Sequence, residues 1–179
     1  LLGERTTRCA LGKGGVIEAA DKREGDGKSP LGTWTIRRVL YRPDKGGPPD
    51  TRLPTKALER DDGWCDDPRD PAYNRAVKLP HPASAEQMWR DDDVYDLVCV
   101  LAHNDDPPIP GKGSAIFMHL ARPDWSPTEG CVALTREEGT DTRRLSARMQ
   151  WQRPFVGQLG DIFTVTGAMW RDGYNVNDE

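Results

Sequence analysis

The chain lacks any apolar stretch long enough to cross a lipid bilayer. Its longest nearly apolar run, residues 94–102, has nine residues and contains Asp96, whereas a membrane-spanning helix needs about 20. An excess of positive charge is missing too, because 25 Lys and Arg stand against 29 Asp and Glu, for a net charge of -4. Both signs are interspersed along the chain, unlike a nucleic-acid-binding surface. These absences predict no transmembrane segment and no nucleic-acid partner.

The chain also begins without an initiator Met and without the charged and apolar regions of a secretory signal. It was therefore either never exported or has already lost its signal. Its four cysteines, Cys9, Cys65, Cys99 and Cys131, include no Cys-x-x-Cys pair, which argues against a zinc cage and a dense disulfide framework. If one of them is catalytic, at most one intrachain disulfide can form. A Cys9–Cys65 pair and unpaired thiols both remain open.

What the chain does contain is β-forming sequence broken by long loops. Runs rich in Val, Ile, Thr and aromatic residues predict strands. They cover residues 15–19, 33–41, 93–102, 115–121 and 161–166. Between them, residues 42–54 and 105–113 are crowded with Pro, Gly and Asp and predict loops. The length fits one domain, predicted over residues 1–179 with its core at about residues 12–166.

Helix signals are few, so one or two short helices are expected. One is predicted to begin at Thr135, where Glu138 stands three residues on as in a capping box, and to continue toward Trp151. A shorter helix is predicted from Ser84 to Arg90, because Ser84 is able to cap it. The predicted fold class is therefore mostly β.

The candidate chemistry concentrates in residues 113–134. This segment places His119 at the end of an apolar run and, after a turn-rich stretch, Cys131 directly after Gly130. A thiol is nucleophilic as the thiolate, and a neighbouring imidazole lowers its pKa while holding a proton for a leaving amine. Gly130 permits a tight turn whose N–H groups could face an oxyanion. Judged from these residues alone, buried structural roles for the cysteine and histidine also stay open.

The stretch from His119 to Leu134 resembles the signature of the L,D-transpeptidase (YkuD-domain) family, a His followed after a loop by Ser/Thr-x-Gly-Cys and a short apolar strand. Here the second half reads Thr-Glu-Gly-Cys-Val-Ala-Leu over residues 128–134. A second segment, Lys-Ser-Pro-Leu-Gly-Thr-Trp-Thr-Ile at residues 28–36, resembles the family's Thr-Pro-x-Gly-x-Phe strand. The resemblance implies a mostly β, sandwich-type catalytic domain with long loops.

By that resemblance Cys131 is the nucleophile and His119 is the general acid and base. Thr128 and Gly130 are implied to belong to the active-site and oxyanion loop. In the family the imidazole is oriented by a backbone carbonyl, so no carboxylate partner is assigned. Neither a cofactor nor a metal is expected, since thiol and imidazole supply the proton and acyl chemistry.

The sequence departs from the family pattern at one informative position. Many members carry Arg two positions after the cysteine, where it can face a substrate carboxylate, but this chain has Ala133. Arg122 and Arg136 are near enough in sequence to supply that charge. Two further candidates for substrate binding are His103, which follows an apolar run, and Trp125, in the loop before the cysteine.

The resemblance implies a peptidoglycan L,D-transpeptidase of the periplasm or cell surface that acts in cell-wall organisation and cell shape. Its thiolate would form an acyl-enzyme at an L-to-D bond of a stem peptide and pass the acyl group to an amine of a second stem. Crosslinks of the 3-3 or the 1-3 type would result, and carbapenems would acylate the same thiol. Two alternatives stay open: a hydrolase on the same fold (L,D-carboxypeptidase, endopeptidase or amidase) and a catalytically inert wall-binding module.

Overall fold

The computed structural model describes residues 8–136, 148–152 and 164–167. Apart from a 3-10 turn at Ala19–Asp21, the elements with both ends described are all strands. In chain order they are β1 (Val16–Glu18), β2 (Ser29–Leu31), β3 (Thr33–Tyr41), β4 (Thr55–Ala57), β5 (Asp62–Cys65), β6 (Ala76–Lys78), β7 (Ala85–Gln87), β8 (Leu97–Leu101), β9 (Phe117–Leu120), β10 (Val132–Leu134), β11 (Arg148–Gln152) and β12 (Thr164–Gly167).

The largest sheet has the strand order β10-β9-β8-β3-β11-β12, and β4 pairs with β3 beside this path. The nine-residue β3 joins its two halves, because β11 pairs with its first three residues and β8 with the remainder. Strand β8 is antiparallel to both β3 and β9, whereas β9 and β10 run parallel. This parallel pair carries the residues of the candidate site.

Two smaller sheets flank this region. Strand β5 pairs antiparallel with β6 and β7, and all three come from the segment between β4 and β8. Strands β1 and β2 form a parallel pair. Isolated bridges also join Ala10 to Ala133 and Gly12 to Thr128, so the start of the described chain is tied to the loop around Cys131.

Strand β8 lies between two hydrophobic clusters. Alternate residues of a strand point to opposite faces of a sheet. Leu97, Cys99 and Leu101 accordingly join one cluster, and Val98 and Val100 join the other. Burial on both faces explains why this strand is a continuous apolar run. On neighbouring β9 the same alternation places Met118 in the first cluster and Phe117 in the second, which also contains Cys131.

The prediction of a mostly β fold is confirmed. Strand β3 has the predicted bounds, and β1, β8 and β9 fall inside predicted runs. The predicted loops at residues 42–54 and 105–113 contain no strand. The short strands β4 to β7 were not predicted, because three or four residues are too few to show a periodic pattern.

The two predicted helices need correction. Residues 85–87 form β7 rather than part of a helix from Ser84 to Arg90, and they pair with β5. A capping-box pattern is a weak local signal that strand pairing overrides here. The helix predicted from Thr135 toward Trp151 is wrong at its far end, where residues 148–152 form β11 between β3 and β12. Residues 137–147 lie outside the described residues.

The cysteine alternatives are resolved by the structure. Cys65, Cys99 and Cys131 are buried free thiols, so the Cys9–Cys65 disulfide is not formed. In the described residues, no helix is long and apolar enough to span a membrane.

Candidate active site

A pocket of about 490 Å³ opens beside β9 and the start of β10. His119 and Cys131 both line it. His119 stands two residues after Phe117 on β9 and therefore points to the same face of the sheet, toward the cluster that contains Cys131. The parallel pairing of His119 with Ala133 brings the residues before β10 alongside the histidine.

The loop that presents Cys131 is fixed by hydroxyl groups. Thr128 Oγ1 and Ser29 Oγ donate to the Cys131 carbonyl at 2.7 and 3.1 Å. Thr128 Oγ1 also accepts the Gly130 N–H at 3.1 Å, so this amide is already engaged rather than pointing freely to an oxyanion. Gly130 has φ of +142°, and a Cβ there would lie 3.0 Å from the Lys28 carbonyl oxygen. A side chain at this position would therefore be strained and crowded.

The Cys131 side chain lies in a buried, polar niche. Its Sγ donates to the Ala115 carbonyl at 3.1 Å and receives the Phe117 N–H at 3.4 Å. Burial, and next the charge of Glu86, raise the pKa of the thiol to about 12. A neighbouring imidazole was expected to lower this pKa, but in the structure the cost of burying the charged thiolate is the larger effect. The resting Cys131 side chain is therefore a neutral thiol.

His119 is oriented by main chain, as the family resemblance implied. Its Nδ1 lies 2.9 Å from the Leu120 carbonyl oxygen, and a carbonyl only accepts, so Nδ1 carries the proton. Nε2 is left with a lone pair. Burial lowers the pKa of His119 to about 4, against a smaller raising effect of the Leu120 carbonyl. The ring is therefore neutral near pH 7 and able to accept a proton.

One wall of the pocket comes from Tyr95, Glu86 and Asp66, none of which was singled out in the sequence. The Tyr95 ring packs edge-on against His119 with ring centroids 5.2 Å apart. The Tyr95 hydroxyl donates to Glu86 Oε1 at 2.7 Å and lies close enough to Cys131 to lower the pKa of the thiol. Asp66 lines the same wall, and its buried Oδ1 has no hydrogen-bond partner among the described residues. These three residues belong to no sequence motif, so no pattern in the sequence indicated that they line one site.

A buried lysine was also missed. Lys22 is 2% exposed and lines the pocket with Cys131. Its ammonium pairs with Asp26 and donates to the Arg23 carbonyl at 3.1 Å. Lysine is rarely fully buried unless it is paired, so a sequence reading assigns such a residue to the surface.

The predicted substrate-binding residues divide between two environments. Arg122 lines the pocket and pairs with Asp92 at 3.1 Å. Arg136 pairs with buried Asp96 at 2.6 Å and does not line the pocket. Trp125 lies under the guanidinium of Arg8, 4.3 Å from the ring centroid, and is likewise outside the lining.

The three histidines of the chain lie in three different places. His103 is buried and does not line the pocket; its Nε2 lies 3.1 Å from the Lys112 carbonyl oxygen and its ring is edge-on to Trp34. His81 Nε2 lies 3.5 Å from Asp70 Oδ2. His119 is therefore the histidine that shares the pocket with Cys131.

A mostly β fold that presents a cysteine thiol and a carbonyl-oriented imidazole in one pocket defines a site suited to acyl transfer. The model of the YkuD L,D-transpeptidase catalytic domain matches residues 3–149. The chain belongs to this family, whose members act on the stem peptides of peptidoglycan. Neither the curated proteins nor the solved structures provide a match.

Proposed function

We propose that the protein is a peptidoglycan L,D-transpeptidase in which Cys131 is the nucleophile and His119 the general acid and base. The observation that carries the proposal is the 2.9 Å contact between His119 Nδ1 and the Leu120 carbonyl oxygen. The Leu120 carbonyl holds the proton on Nδ1 and leaves Nε2 as a base in the pocket that Cys131 lines. Because the proposed substrate belongs to the cell wall, the proposal includes a location in the periplasm or at the cell surface.

The first half-reaction forms a thioester. As Cys131 Sγ attacks the carbonyl of the L-centre, His119 Nε2 takes the thiol proton, so no free thiolate is needed beforehand. The tetrahedral intermediate collapses with cleavage of the C–N bond, and His119 delivers the proton to the leaving amine of the D-residue. Since the Gly130 N–H is already bonded to Thr128, oxyanion stabilisation requires another donor of the pocket.

The second half-reaction transfers the acyl group. The amine of a second stem attacks the thioester carbonyl and gives a proton to His119. The C–S bond then breaks, and the proton returns to Cys131 Sγ. The products are a crosslinked dimer and the resting neutral pair of thiol and imidazole.

Mass spectrometry of both protein and products tests the proposal. A purified disaccharide-tetrapeptide is incubated with the parent, with Cys131→Ala and with Cys99→Ala, which removes another buried thiol. The parent and Cys99→Ala should show a thioester adduct and a crosslinked dimer, and Cys131→Ala should show neither. A dimer formed by Cys131→Ala contradicts the proposal. Release of D-Ala without a dimer identifies water as the acceptor and the hydrolase alternative.

Carbapenem acylation gives a second readout of the same nucleophile. The strained β-lactam amide offers a carbonyl equivalent to the scissile one, so we expect one added drug molecule on Cys131. Peptide mapping locates the adduct. Modification of Cys65 or Cys99 instead would contradict the assignment.

A further inference from the structure

The side chain of Lys22 is built into the pocket rather than left at the surface. It is 3% exposed, and Asp26 compensates its charge. Asp26 is itself held by the Arg23 and Lys28 N–H groups, each at 2.9 Å. Burial would raise the pKa of Asp26, but these hydrogen bonds and the ammonium outweigh it and lower the pKa. The carboxylate therefore stays charged and fixes the ammonium in place.

The ammonium has one donor left for a ligand. Its acceptors within the described part of the chain are Asp26 and the Arg23 carbonyl, and an ammonium has three N–H groups. Because Lys22 lines the pocket, the third N–H has access to a bound molecule.

Glycines on both sides give this lysine its room. A Cβ on Gly113 would lie 3.0 Å from Lys22 Cγ, so the lysine stem passes directly over the glycine. At Gly130, the residue before the nucleophile, the Cβ position lies 3.7 Å from Lys22 Nζ. The positive charge is therefore adjacent to the loop that presents Cys131, and its field lowers the pKa of the thiol.

The other cations near the site are less suited to bind an anion at this place. Arg90 and Arg122 line the pocket but share Asp92, at 2.7 and 3.1 Å. Ala133, at the family's arginine position, brings no charge. Lys22 is the lining cation that adjoins Gly130.

We infer that Lys22 binds the α-carboxylate of the D-residue that leaves when the stem is cleaved. The inference rests on the proposed function, because that carboxylate lies next to the scissile bond held at Cys131. In a tetrapeptide stem the leaving residue is the terminal D-Ala, whose only anionic group is this carboxylate. Lys22 thus selects donors with a free carboxylate directly beyond the scissile bond.

A comparison of two donors tests the inference. One donor is the disaccharide-tetrapeptide, and the other is the same molecule with its terminal D-Ala as carboxamide. The parent should prefer the free carboxylate by roughly tenfold or more in kcat/KM, the size of a charge-assisted hydrogen bond. Lys22→Met should lose most of that preference, because its kcat/KM should fall for the carboxylate donor and stay unchanged for the carboxamide donor. Lys13→Met, which removes an exposed lysine paired with Glu129, is the matched control and should keep the preference.

Folding of the variant is followed separately, because Lys22→Met leaves Asp26 without its cation. The double variant Lys22→Met/Asp26→Asn replaces both members of the ion pair by neutral side chains, and it should show the same loss of preference. An equal fall for both donors in both variants assigns Lys22 a structural or oxyanion role and overturns the inference. Equal turnover of the two donors by the parent also overturns the inference. Turnover that persists in Cys131→Ala would instead contradict the proposed function itself.

Discussion

Two buried thiols on neighbouring parts of the same sheet differ in what surrounds them. Cys99 on β8 is 2% exposed, and Cys131 before β10 is 8% exposed. Burial raises the pKa of each to about 12, and for Cys99 burial is the whole cause. For Cys131 the charge of Glu86 raises the pKa further. Three neighbouring groups lower it in part: the Phe117 N–H, the Lys22 ammonium and the Tyr95 hydroxyl.

The raised pKa values therefore do not distinguish Cys131, the proposed nucleophile, from Cys99. What separates the two cysteines is access to a pocket of about 490 Å³ and a neutral imidazole in that pocket. Cys131 is therefore expected to react when a bound donor brings its carbonyl within reach, with the proton moving to His119 during attack.

The largest expected effect comes from exchanging each thiol in turn. Cys131→Ala should abolish crosslink formation even when turnover is expressed per folded molecule. Cys99→Ala should keep turnover per folded molecule and lower stability by about 1–2 kcal/mol, since it leaves a small cavity in the core. Turnover and thermal midpoint are measured on the same samples. If Cys99→Ala is the inactive variant, the comparison fails.

The next largest effect is expected at the imidazole. His119→Gln keeps a polar side chain of similar reach but removes the base, so kcat/KM should fall about 10²–10⁴-fold. His81→Gln is the matched control, because His81 lies beside Asp70 and does not line the pocket. Steady-state kinetics with a muropeptide donor provide the measurement. Activity of His119→Gln within about threefold of the parent would remove the histidine from the mechanism.

The pH dependence sharpens the difference between a neutral pair and an ion pair. Because His119 must be neutral and its folded pKa is about 4, the acid limb of kcat/KM should fall near pH 4 rather than 6.5. A thiolate–imidazolium pair would instead give a limb set by the cysteine. The profile is measured with ionic strength held constant.

The same shift predicts a stability change, with a definite sign. The folded pKa of His119 lies below the unfolded value of about 6.5, so the unfolded chain binds the proton first. Above pH 6.5 this shift leaves the free energy of unfolding at its full value. As the pH falls toward 4, the free energy of unfolding decreases by roughly 3 kcal/mol, because the unfolded chain takes up the proton first. Denaturant unfolding of the parent and His119→Gln between pH 7 and 4 measures the difference. Parallel curves would contradict the buried neutral imidazole.

Sequence patterns predicted the central strands, and a family resemblance singled out two residues of the motif. Strand β3 has nine residues, enough for its apolar and aromatic composition to stand out, and β8 is a continuous apolar run. His119 and Cys131 were chosen because their segment resembles the family signature, since residue chemistry alone left buried structural roles open. The structure places both side chains in one pocket.

The remaining parts of the site depend on pairing between distant segments. Glu86 belongs to β7, which forms by pairing with β5, and local capping signals pointed to a helix instead. Lys22 is buried because Asp26 neutralises it and Gly113 makes room for its stem. Neither condition appears in a linear motif. A lysine among charged residues is ordinarily solvated, so composition argued for the surface.

The smallest effects are expected at the two arginines that the sequence placed near the substrate. Arg122 lines the pocket, but it is 39% exposed and engaged by Asp92, so Arg122→Ala should change kcat/KM by about threefold or less. Arg136 is outside the lining, and Arg136→Ala should leave kcat/KM unchanged. Its loss removes a partner of buried Asp96, at a cost of about 1 kcal/mol, which corresponds to a thermal midpoint lower by about 2–4 °C. A tenfold loss of kcat/KM in Arg136→Ala without destabilisation would show that this arginine contacts the substrate. A tenfold loss in Arg122→Ala confined to carboxylate donors would assign the anion site to Arg122 instead of Lys22.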